Sequence, residues 1–116
     1  MMNSVRITYD PEGDILYVTF GVPTPATGYQ LSDQVLLRVN SETREAAGLT
    51  IFNYSVHARS GNDMLLPGLE DLPEEKSHLM SVIGSPPVSH YLLVLTGDPI
   101  TRVVLLSPSL PEAVAV

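Results

Sequence analysis

The sequence predicts a mainly β fold of the α+β class: an antiparallel four-stranded meander, one short helix over about residues 73–83 and a C-terminal β-hairpin over about 88–106. Three observations carry this expectation. Short segments rich in Val, Ile, Leu and Tyr recur along the chain, several with the period-two alternation that separates the two faces of a sheet. Turn-forming residues divide them. Only the stretch after Pro73 combines helix-starting residues, helical spacing of apolar residues and a stopping glycine.

The first strand is Val5-Arg6-Ile7-Thr8-Tyr9, whose alternation sends Val5, Ile7 and Tyr9 toward the core. Asp10-Pro11-Glu12-Gly13-Asp14 follows as a hairpin turn, in which proline presets φ at the second position and Gly13 is expected to take positive φ. Ile15-Leu16-Tyr17-Val18-Thr19-Phe20 carries bulky residues on both faces, as a central strand covered above and below would. Gly21-Val22-Pro23-Thr24-Pro25 ends it. Gln34 to Val39 is the third strand and Ala47 to Phe52 the fourth, joined across the turn-tolerant Asn40-Ser41-Glu42-Thr43-Arg44.

Residues 57–72, with Gly61, Pro67 and Gly68, read as a connector. In the helix that follows, Pro73 suits the first turn, Glu74 and Glu75 complement the positive end of the dipole, and Gly84 is expected as a left-handed stop. Its apolar stripe is Leu72, Leu79, Val82 and Ile83. Ser85-Pro86-Pro87 cannot continue it. Val88 to Leu95 and Ile100 to Leu106 then flank Thr96-Gly97-Asp98-Pro99, a hairpin signature, and the segment from Ser107 to Glu112 reads as an extended Pro-rich arm, a candidate for exchange between subunits.

The 116 residues suit a single domain, with the meander in 1–56 and the helix and hairpin in 57–116. The absence of cysteine excludes a disulfide scaffold, a thiolate zinc site and a cysteine nucleophile. Six basic residues against 13 acidic ones give −7. Lys76 is the one lysine, and Arg6, Arg38, Arg44, Arg59 and Arg102 are scattered, so nucleic acid is not an expected partner and a basic protein surface is. No apolar run approaches the roughly 20 residues of a membrane helix, and no signal-type N-terminus is present, so neither membrane nor export is expected and the cytoplasm is the default location. Large aliphatics on both faces of the second, fifth and sixth expected strands exceed what one short helix can roof, so either a sheet packed on a sheet within the monomer or a second copy must cover them, and a homodimer is expected.

The run Tyr9-Asp10-Pro11-Glu12-Gly13-Asp14-Ile15-Leu16-Tyr17-Val18 resembles the opening of the DUF2283 family of small bacterial and archaeal proteins: Tyr-Asp, a short acidic turn, Asp, then Leu-Tyr and a strand. The resemblance continues through Gln34 to Val39 and Gly48-Leu49-Thr50-Ile51-Phe52, covering about residues 5–56. The family's acidic, glycine-bearing turn between its third and fourth strands is replaced here by Asn40-Ser41-Glu42-Thr43-Arg44. The likeness implies a β-meander with a packing helix and no established activity; some members look like the small partner of a toxin.

Asp10, Glu12 and Asp14 alternate like the first ligands of a calcium loop, but Ile15 and Gly21 stand where such a loop needs glycine and glutamate, so turn acceptors are the preferred reading. Glu70, Asp71, Glu74 and Glu75 stand where a helix begins and need no ligand to be useful there. His57, His78 and His90 lack zinc spacing, and no nucleophile elbow, phosphate loop or dinucleotide fingerprint occurs. No catalytic, cofactor-binding or metal residue, and no cofactor, is therefore expected. Tyr9, Tyr17, Tyr29, Tyr54 and Tyr91 are expected first as core residues and second at an interface. The leading functional expectation is a small acidic, non-catalytic self-association or protein-interaction module, in the manner of an antitoxin. The alternative is a ligand-binding protein or enzyme with a pocket between meander and C-terminal hairpin, lined by tyrosines and a histidine. A divalent-cation site at the acidic turn is the lesser one.

Overall fold

The computed structural model describes residues 5–97, 100–106 and 114–115, the last pair for backbone only. The fold is mainly β, with antiparallel sheets and two helices. Strands β1 (Val5–Asp10) and β2 (Ile15–Phe20) form the expected hairpin, with Tyr9 opposite Leu16 and Ile7 opposite Val18. Next come β3 (Ala26–Gln30), β4 (Val35–Asn40) and β5 (Ala46–Phe52). Their order in the sheet is β3-β4-β5-β2-β1, extended at β1 by the short parallel strand β9 (Val114–Ala115).

The expected four-stranded meander is therefore corrected in two ways. A fifth antiparallel strand, β3, is present, and β2 pairs with β5 instead of with the next strand in sequence. Residues 21–25 carry the chain from the end of β2 past β5 and β4 to the far edge, from which β3, β4 and β5 fold back. This is a Greek-key order. Asn40 Nδ2 donates to Thr24 Oγ1 at 3.2 Å and the Ser41 amide to the Pro25 carbonyl at 3.3 Å, tying the crossing segment to the end of β4.

Helix α1 (Tyr54–Ser60) runs into the connector expected over 57–72, which also holds β6 (Met64–Leu65), so a second helix joins the one expected. Helix α2 runs Lys76–Ile83; Pro73, Glu74 and Glu75 lie in the turns ahead of it. Leu79 and Ile83 are buried, and Leu72 and Val82 pack against the core, as their spacing implied. Gly84 has φ −80° and is no left-handed stop. The C-terminal hairpin is β7 (Leu92–Thr96) with β8 (Arg102–Leu105), while Val88–His90 form a 3-10 turn ahead of it; β6 pairs with β8 to complete a three-stranded sheet ordered β6-β8-β7. Asp98 and Pro99 of the hairpin loop, and the arm from Ser107 to Glu112, lie outside the described residues.

One apolar core joins the layers. The register aligns Leu16 with Ile51 and Ile51 with Val35, and Val18 with Leu49 and Leu49 with Leu37, so the buried residues of β2, β5 and β4 share one face of the large sheet. Onto that face pack Leu79 and Ile83 of α2, Met64, Leu92 and Val103 of the small sheet, Leu69 of a 3-10 turn over Pro67–Leu69 and Val88 of the one ahead of β7. Ile7 and Tyr9 join this core, while Val5 is exposed at the end of its strand.

Candidate functional site

The acidic turn folds back on the start of α1. Asp14, not Gly13, takes the left-handed conformation, with φ 56°. Helix α1 begins after Asn53, which offers no side-chain cap. Asp14 supplies one from across the sheet: its Oδ1 accepts the Ser55 amide at 3.0 Å, its Oδ2 the Ser55 hydroxyl at 2.8 Å, and its carbonyl the Tyr54 amide at 3.0 Å. The Tyr9 hydroxyl donates to the same Oδ1 at 2.6 Å, and the rings of Tyr9 and Tyr54 meet edge-on at 5.9 Å. Burial raises the pKa of Asp14, but the hydrogen bonds from Tyr9 and Ser55, with the charge of Arg59, outweigh it and leave the carboxyl below its ordinary value. The hydrogen bond to Asp14 raises the Tyr9 phenol in turn, aided by burial and the carboxylate's charge.

Asp10 Oδ1 accepts the amides of Glu12 and Gly13 at 3.1 and 3.3 Å. The two aspartates of the turn thus serve as backbone and side-chain acceptors, the arrangement expected of a satisfied turn. Among the described residues no three of His, Asp and Glu come together as metal ligands.

Two of the cavities among the described residues bear on the histidines. A volume of about 590 Å³ lies between the rim of the large sheet and α2, with Phe20, Ala47 and Val82 as apolar wall and Arg44, His78 and Ser81 as polar wall. His78 Nε2 bonds the Arg44 carbonyl at 2.8 Å, and Arg44 holds Glu75 at 2.6 Å. The hydrogen bond to Glu75 and the nearby Tyr29 hydroxyl raise the pKa of the Arg44 guanidinium. A second volume of about 510 Å³ lies between the β3–β4 turn and β6, with His57, Asp33, Asp63 and Asp71 among its lining. His57 and His78 thus face different cavities, and His90 is exposed in its 3-10 turn and lines neither. No tyrosine lines either cavity. Of the acidic residues at 70–75, Glu70 pairs with Lys76 and Glu75 with Arg44.

Two sheet faces turn away from the core. On the small sheet, Leu93 lies opposite Val104 and Leu65 opposite Arg102, and Leu65, Leu93, Leu95 and Leu106 are 42–52% exposed. On the large sheet, the register sets Arg6, Thr19, Gly48, Arg38 and Gly28 in one row across five strands, with Thr8, Tyr17, Thr50, Leu36 and Gln30 in the next. Tyr17 is 39% exposed, so β2 is central but not covered on both faces. A Cβ at Gly48 would come within 3.1 Å of the Val18 carbonyl, and the Arg38 stem passes 3.8 Å from it. Sequence reasoning missed the partnership of Asp14 with Ser55 and the row joining Arg6 to Arg38; both arise from long-range pairing that no local motif encodes.

No curated protein and no solved structure matches the chain. The part that does match a family runs from β1 to the capped start of α1 and so includes the whole antiparallel large sheet and the Tyr9–Asp14–Ser55 contact. Residues 6–55 match the model of the family described as "Protein of unknown function (DUF2283)", and it is to this family that the segment is similar.

Proposed function

We propose that the protein is a non-catalytic self-association module whose second copy docks on the outer face of the small sheet. The observation that carries this reading is the half-exposed leucine set Leu65, Leu93, Leu95 and Leu106 beside an edge strand, β7, that contains no charge and no proline from Leu92 to Thr96. Natural edges are blunted by such residues, and an apolar, unblunted one is a template for pairing. Antiparallel pairing of β7 with its symmetry mate extends the sheet across a two-fold axis and brings the leucines of both copies together. The leucines offer roughly 400 Å² per copy against the ~800 Å² of a standard interface, so a concentration-dependent dimer is expected and not an obligate one.

Sedimentation equilibrium from about 1 to 100 µM tests this. The mass is expected to rise toward a dimer, more readily in high salt because two copies of −7 repel one another. Leu93→Arg is expected to remain monomeric throughout. A wild-type monomer over the whole range refutes the reading, and a stoichiometric complex with a basic protein that weakens in salt would replace the second copy as occupant.

A further inference from the structure

We propose that the outer face of the large sheet docks an acidic segment of a partner protein with an apolar centre. The chain carries −7, yet on this face the five antiparallel strands place two arginines, Arg6 and Arg38, against one carboxylate, Asp10. Arg44, Lys76 and Arg102 each hold a carboxylate at 2.6, 2.8 and 2.9 Å, and Arg59 lies by Asp14. Arg6 and Arg38 have no ion pair among the described residues, and both stand on this face. Within the five antiparallel strands the one carboxylate is Asp10, turned into its own hairpin by the amides of Glu12 and Gly13.

The shape agrees with the charge. Arg6 and Arg38 are separated by three strand spacings, about 14 Å, with only Thr19 and Gly48 between them in the row. Beside that low strip, Tyr17 and Leu36 flank Thr50 and give an apolar ridge. An aromatic and aliphatic centre with arginine at its rim is a composition favoured at protein interfaces. A second copy is the poorer occupant, since two-fold packing of this face would set arginines against arginines. The face lies on the far side of the core from Leu93, so the inference is independent of self-association.

The test uses the full chain and a short fluorescein-labelled peptide that alternates glutamate with valine and phenylalanine, followed by anisotropy at low salt. Net charge alone would favour the same peptide with lysine in place of glutamate, so binding of the acidic peptide is the diagnostic sign. The acidic peptide is expected to bind wild type, to weaken about tenfold in R6E/R38E, and to weaken less in R6Q/R38Q, the pair that serves if the glutamates disturb folding. The lysine peptide is expected to gain affinity for R6E/R38E beyond what bulk charge gives a control reversal at exposed Arg59→Glu. Binding is expected unchanged in Leu93→Arg; its loss there would place the site on the other sheet and overturn the proposal. Failure of the acidic peptide to bind, indifference to both arginine pairs, or tighter arginine-dependent binding of a single-stranded oligonucleotide would each overturn it.

Discussion

Removing the charge of Asp14 is expected to uncouple helix α1 from the sheet. Asp14→Asn keeps a residue tolerant of φ 56° and removes the carboxylate that accepts from Tyr9 and twice from Ser55. Loss of a helix cap costs about 1 kcal/mol, and loss of hydrogen bonds to a charged group about 1.5–3 kcal/mol. The contacts share one carboxylate and a half-buried setting, so they do not add, and the net expectation is about 2 kcal/mol. At about 4 °C per kcal/mol for a chain of this size, the midpoint falls by about 8 °C at pH 7. Asp14→Ala falls further, because alanine in the left-handed region adds about 1 kcal/mol of strain. Since folding holds the Asp14 pKa below its ordinary value, its stabilisation is present above the unfolded value of about 3.9 and is lost as pH falls through the depressed folded one. Thermal melts followed by circular dichroism from neutral to strongly acidic pH should therefore show the gap between wild type and Asp14→Asn closing in acid. A gap as wide in acid as at pH 7, or no gap at pH 7, refutes the assignment of the carboxylate as the cap.

Tyr9 gives the opposite sign. Its folded pKa is raised, so its hydrogen bond stabilises below the unfolded tyrosine value of about 10 and is lost as pH rises through the folded one. Tyr9→Phe melts should therefore lose less stability than wild type in alkaline buffer. Gly68→Ala would set a Cβ against the Gln30 carbonyl and 2.8 Å from that of Leu31, to which the Gly68 amide also donates; a loss of about 2–3 kcal/mol in urea unfolding is expected. Leu79→Ala empties the centre of the α2 contact with the sheet and should cost about 2–5 kcal/mol in the same assay.

What the sequence discloses follows the range of the interactions involved. The β1–β2 hairpin, the pairing of β4 with β5 and the buried stripe of α2 are local patterns, and all were legible. Strand β3 was not: Ala26-Thr27-Gly28-Tyr29-Gln30 has little apolar alternation and occupies an edge, where little burial is required. Helix α1 was hidden for a different reason. It buries only Tyr54, and its cap comes from Asp14, 41 residues before Ser55. Large residues on both sides of β2 suggested cover on both, yet large apolar side chains are common on protein surfaces and Tyr17 is exposed. Arg6 and Arg38 looked scattered because the Greek-key crossing, invisible in the sequence, is what sets them in one row.

That crossing leaves a mark on how the gene can vary. From Phe20 to Ala26 the chain has six steps with which to clear three strand spacings, so about 21 Å of reach must cover about 14 Å and still round the sheet's end. Losing two codons there would leave the link taut and pull the outermost strand from its neighbour, whereas added codons would only loop outward. Indels in this segment should accordingly be asymmetric, with lengthening tolerated and shortening purged.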